Sequence, residues 1–180
     1  FNRQVLFLRH DLVVLVDDID PGDGDHTVEF RLHPNGETTA ADDVATVLAE
    51  DVSLSVCTAL SDGSLLPMTV TPKEDNPRAT HTCTAAYEGS GPVRAITFIR
   101  IGGAEPAGMS VKAVDGGLAV QCDDGPGYRL GLQPGTIGDG FDTTAPLWLA
   151  EVDAEGPVRI MACTKPEMGH TNAALVTPGG

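Results

Sequence analysis

The sequence predicts an all-β fold, an antiparallel β-sandwich of about ten or more short strands with little or no helix, and three observations carry that reading. Short segments with period-two alternation recur along the chain, as a half-buried strand requires. The 21 Gly and 13 Pro supply the turns that many connections need. Aromatics are 4% of residues against 41% hydrophobic overall, so the core is expected to be built from Val, Leu, Ile and Ala.

Arg3 to Leu8 and Leu12 to Ile19 are apolar and rich in β-branched residues, separated by the polar tip Arg9-His10-Asp11. They read as a hairpin. Pro21-Gly22-Asp23-Gly24-Asp25 is a turn. In the strand from His26 to His33, residues His26, Val28, Phe30 and Leu32 fall on one face and Thr27, Glu29, Arg31 and His33 on the other. Pro34-Asn35-Gly36 closes it. Ala40 to Glu50 shows no convincing apolar stripe and is expected to be a loop or one short turn.

Strands are next expected at Val52–Cys57, Leu66–Val70, His81–Tyr87, Val93–Ile101, Met109–Val114, Leu118–Cys122, Tyr128–Leu132, Leu147–Val152 and Val158–Cys163. Asp62-Gly63, Gly89-Ser90-Gly91 and Glu155-Gly156 punctuate them, and Asp115-Gly116-Gly117 is a tight-hairpin signal. With no repeat, low-complexity linker or composition shift, one domain over residues 1–180 is expected.

Eleven Lys and Arg face 26 Asp and Glu, a formal net charge of −15. A polyanion such as nucleic acid meets repulsion over most of such a surface. The longest apolar run, Leu12 to Val16, falls far short of the roughly 18 residues of a membrane span. The chain opens on Phe1 rather than Met, and an upstream segment is expected. Cys57, Cys83, Cys122 and Cys163 form no C-x-x-C pair, which disfavours zinc ribbons and thioredoxin-like sites. Disulfides and buried free thiols both remain open.

Motifs for hydrolase, phosphate-loop and dinucleotide chemistry are missing from the sequence. Asp18, Asp20, Asp23 and Asp25 lie around a glycine turn that could hold calcium, although the spacing departs from the usual calcium loop; a solvated turn is the plainer reading. No other cofactor is expected. His26 and His33, an odd number of residues apart, point to opposite faces and cannot share a metal as strand neighbours. His10 sits at a hairpin tip, His81 opens a strand, and His170 lies near the C-terminus. Trp148 faces outward if Leu147 and Leu149 face in, where it could stack on a sugar or cover the core rim.

The run R-Q-V-L-F-L-R-H-D-L-V-V-L-V-D-D-I-D, an acidic turn, and then H-T-V-E-F-R-L-H-P-N-G-E resembles the C-terminal β-sandwich of heparinase II/III-like polysaccharide lyases. Arg3, Asp17 or Asp18, His26 and His33 occupy matching places, and Val93 to Gly103 is similar to a late strand of that family. The resemblance implies β-elimination of acidic, uronate-containing polysaccharides by the parent protein. That reaction neutralises a carboxylate, removes a proton and protonates a leaving oxygen. In the family those groups lie ahead of the segment matched here, so the implied role is accessory and non-catalytic, beside an upstream helical domain of the same polypeptide.

The site candidates, for carbohydrate or for the neighbouring domain, are Arg3, Arg31, His33 and Trp148, with Arg9 completing a basic patch. The alternative is a stand-alone carbohydrate-binding or cell-surface adhesion sandwich. Either is expected to be secreted, periplasmic or on the cell surface. The accessory reading further expects an apolar face left exposed on the isolated chain.

Overall fold

The structure, a computed structural model, describes residues 1–8, 11–73, 78–123, 125–137, 142–153, 156–163 and the backbone of 173–176. Arg9, His10 and His170 lie outside them. No helix occurs among the described residues, so none is long and apolar enough to cross a membrane. The chain divides into two compact units: Phe1–Leu60 with Ser64–Met109, and Ser61–Gly63 with Ser110–Gly180.

The first unit is a β-sandwich of ten strands: β1 (Asn2–Leu8), β2 (Leu12–Ile19), β3 (Asp25–Leu32), β4 (Glu37–Ala41), β5 (Val44–Ala49), β6 (Val52–Leu60), β7 (Leu65–Leu66), β8 (Met68–Pro72), β9 (His81–Ser90) and β10 (Val93–Gly102). The larger sheet runs β1-β2-β10-β6-β5-β4, with β7 on β6, and the smaller runs β3-β9-β8. Every described pairing is antiparallel, and the first hairpin closes at Leu8↔Leu12 as expected. Phe30, Met68, Cys83 and Ala85 of the small sheet meet Ala45, Val56, Leu66 and Ala95 of the large one in a common core. Central strand β10 shows buried residues on both faces, Ala95 and Thr97 on one and Ile96 and Phe98 on the other. Such a strand reads as a continuous apolar run.

Two expectations are corrected here. Ala40–Glu50 is not a loop: Ala41 and Val44 pair across a turn in which Asp42 has φ 53°, giving the β4–β5 hairpin. Ala45 and Val47 are its buried face. Alanine contributes too little apolar contrast for that alternation to show, and pairing with β6 supplies what propensity does not. Leu66–Val70 is two strands rather than one. Leu66 pairs with Thr58 of the large sheet, whereas Met68 pairs with Ala85 of the small one. Pro67, which has no N–H to give a ladder, falls at the switch between sheets.

The second unit holds β11 (Met109–Val114), β12 (Gly117–Cys122), β13 (Gly127–Gly131), β14 (Gly135–Thr136), β15 (Asp142–Thr143), β16 (Leu147–Asp153), β17 (Gly156–Cys163) and β18 (Ala173–Val176). One sheet runs β11-β12-β13-β16-β17-β18, and β14 pairs with β15 in a second, two-stranded sheet. The expected Asp115-Gly116-Gly117 turn joins β11 to β12, with Gly116 at φ 73°. On one face of the sheet Trp148, Ala150 and Ile160 cluster with Ile137. Leu118, Val120, Tyr128, Leu130 and Leu149 are buried on the other.

Candidate functional site: an open cationic face of the second sheet

Alternation along β13 sends Tyr128 and Leu130 to the buried face and Gly127, Arg129 and Gly131 to the opposite one. The register sets Gln121 and Ala119 of β12 beside Gly127 and Arg129. On the other flank stand Val152, Ala150 and Trp148 of β16. Trp148 lies over Gly131 so closely that a Cβ built there would sit 1.8 Å from its Cε2. The indole Nε1–H donates to the Gln133 carbonyl at 3.0 Å. That bond ties the segment after β13 over the β16 flank, while the β11–β12–β13 flank is left open among the described residues.

An open cavity of about 760 Å³ lies on this flank, lined among others by Ser110, Lys112, Gln121, Gly127, Arg129 and Asp153. A second, of about 470 Å³, is lined by Asp115, Arg129, Gln133, Thr136 and Trp148 among others. Arg129 lines both, and the first is a groove along β13. Its floor is low because Ala119 and Gly127 carry little or no side chain.

Two cations without an ion pair line this groove; exposed Lys73, which lines neither cavity, also makes no ion pair among the described residues. Arg3, Arg31, Arg94, Arg100 and Arg159 each pair with a carboxylate. Lys112 and Arg129 form no ion pair among the described residues, and the Arg129 guanidinium donates only to the Asp115 carbonyl, at 3.5 Å. Two cations thus face the groove uncompensated by a paired carboxylate, with Asp115 and Asp153 also lining it. Guanidinium and ammonium groups recognise a carboxylate. Carboxylates and Gln121 accept from or donate to hydroxyls.

The residues singled out in the sequence fall elsewhere or play other parts. Arg3 does not stand free: its Nε and terminal nitrogen donate to Asp17 at 2.6 and 2.8 Å, across the β1–β2 pair. Asp17 is 1% exposed. These bonds raise the Arg3 pKa, against a smaller lowering by burial. Arg31 pairs with Glu29 on its own strand. Arg3 and Arg31 do line one crevice, but at about 30 Å³ it has room for a water molecule and not for a sugar. Each is paired with a carboxylate, and Arg9, the third residue of the expected patch, lies outside the described residues.

His33 is exposed and hydrogen-bonded through Nδ1 to Thr82 Oγ1 at 3.2 Å. Trp148 is corrected from outward to buried, at 3% exposure. Leu147 and Leu149 are buried on the opposite face; Trp148 is covered because Ile137 packs on it and the Gln133 carbonyl takes its Nε1–H. The acidic turn does not assemble a calcium site among the described residues. Asp18 is held by Arg94 at 2.5 and 3.0 Å, and Asp20 accepts from the Gly22 N–H. His26 points its ring back to the Asp23 carbonyl at 3.0 Å.

All four cysteines are buried and none is in a disulfide, which settles the open pairing; burial raises the thiol pKa of Cys83 and Cys163. Lys112 and Arg129 escaped sequence reasoning. Their strands were legible, but which face of the sheet stays uncovered was not.

No protein-family model, curated protein or solved structure matches the chain. Fold and site therefore define it as an all-β protein whose first unit is a sandwich and whose second carries a groove lined by two cations that form no ion pair among the described residues.

Proposed function

We propose that this chain is a non-catalytic β module that holds an anionic, uronate-type saccharide chain along β13. The observation that carries the reading is the pair Lys112 and Arg129, which line one groove and form no ion pair among the described residues of a chain of net charge −15. With so few cations the groove suits sparse carboxylates separated by hydroxyls better than a phosphate at every step. Binding should be weak, with Kd on the order of 0.1–1 mM.

Two features support an accessory place beside a polysaccharide lyase's catalytic domain, outside the cell. Residues 1–36 carry the resemblance described above. Phe1, Val5 and Phe7 are exposed at 78%, 61% and 52%, and Val5 and Phe7 share one side of edge strand β1. Exposed apolar groups grouped in this way mark surfaces that pack on another body.

Calorimetric titration with a uronate oligosaccharide and a neutral oligosaccharide of equal length tests the binding. Saturation by the first alone, lost in the Lys112→Ala/Arg129→Ala variant, is expected. Equal response to both oligosaccharides would overturn the reading. Incubation of the isolated chain with uronate polymer should give no rise in the ultraviolet absorbance of unsaturated product; a rise would show that the chain is itself catalytic.

A further inference from the structure

Within the first unit, a cavity of about 210 Å³ opens between the two sheets. Leu32 of β3 and its cross-strand partner Cys83 of β9 form one wall. The other is built from two cross-strand pairs, Val47 with Leu54 and Val56 with Ile99. Its inner end is closed by Val47, Val56 and Cys83, which are 4%, 2% and 1% exposed. His33, exposed, lines its outer end.

We infer that this cavity is a binding site for a small uncharged monocyclic aromatic molecule bearing one hydrogen-bonding group, a phenol being the simplest. Size comes first. A dry cavity of about 150 Å³ lined by aliphatic side chains accepts benzene, and this one leaves room for a ring and one substituent. Shape follows from architecture, since the gap between facing sheets is a slot and a planar ring fills a slot. Chemistry follows from the lining. Every inner wall residue is aliphatic apart from Cys83, and a sulfur beside a ring edge is a favourable contact.

Charge decides against an anionic ligand: the lining carries no Lys or Arg, and the chain around it is acidic. The polar substituent belongs at the outer end. There His33 Nδ1 is engaged with Thr82, and Nε2 makes no hydrogen bond among the described residues. Cys83 remains a thiol in this setting and forms no bond to the ligand.

The inference is tested by titrating the whole chain with phenol and with toluene while following the side-chain methyl resonances by NMR. Saturable shifts at Leu32, Val47, Leu54, Val56 and Ile99 are expected for both probes. Val47→Phe, which fills the inner end, should abolish them; if that variant does not fold, Ile99→Phe fills the cavity from its partly exposed wall. His33→Ala should weaken phenol roughly fivefold, the loss of about one neutral hydrogen bond, and leave toluene unchanged. No saturable shift in the parent chain, or shifts that persist with the cavity filled, would overturn the site. Equal loss of both probes in His33→Ala would overturn the polar end of the assignment.

Discussion

Replacing Gly131 by alanine tests the packing that shapes the groove. The added methyl carbon would stand 1.8 Å from Trp148 Cε2 and 2.0 Å from Nε1, far inside contact distance. The indole cannot yield cheaply. It is 3% exposed, packs with Ile137, Ala150 and Ile160, and holds the Gln133 carbonyl. Overpacking of this kind costs about 1–3 kcal/mol. Expelling the indole instead would forfeit its burial and one hydrogen bond, about 3–5 kcal/mol, by analogy with deleting a buried aromatic. The cheaper route sets the outcome, so a loss of about 3 kcal/mol is expected, near the top of the overpacking range because the neighbour is a rigid ring. Trp148 is the single tryptophan, so urea unfolding followed by its fluorescence reports stability and local environment together. Gly135→Ala, with nothing within 4 Å of the added carbon, is the control and should stay within about 0.5 kcal/mol of the parent. Loss below about 1 kcal/mol in Gly131→Ala, with an unchanged emission maximum, would refute the close approach and the account of why one flank is open.

Arg3→Ala should cost about 2 kcal/mol, less than the figure for a fully buried pair because Arg3 is 46% exposed and screened; a loss that pairing with Asp17→Ala does not partly restore would show that the two act separately. The four thiols should resist a thiol reagent in the native chain and all react once it is unfolded; fast native labelling would contradict their burial. Since the folded pKa values of Cys83 and Cys163 are raised, their contribution to stability is whole below the unfolded thiol value, about 8.5. It is lost as pH rises from there through the folded values. Denaturation midpoints should therefore fall on the alkaline side, and serine at both positions should flatten that fall. Uronate binding in the groove should weaken several-fold between roughly 0.05 and 0.5 M salt, as exposed cations are screened; salt-independent affinity would point to contacts other than Lys112 and Arg129.

Strands with contrast between their faces were legible one by one. The stretch from Asp25 to Leu32 alternates strongly polar with apolar side chains, and its burial follows that order. Val44 to Ala49 has the same geometry with alanine and threonine in place of contrast, and it did not show. Leu66 to Val70 has contrast yet reads as a single strand, since a break between two sheets at Pro67 depends on partners distant in sequence. Of the candidate residues, Arg3 and Asp17 were singled out together, and register makes them a pair; their role is to hold two strands and not a ligand.

By itself, then, the sequence determined the local matters: β conformation, most turns, an aliphatic core and the acidic balance. These follow from side-chain alternation, from the backbone freedom of Gly and the constraint of Pro, and from counting charges. Only the tertiary structure decided which sheet each strand joins, that Trp148 is covered, that the cysteines stay apart as thiols, and that Lys112 and Arg129 share an open groove. Period two tells the two faces of a strand apart but carries no information on what, if anything, will cover either face.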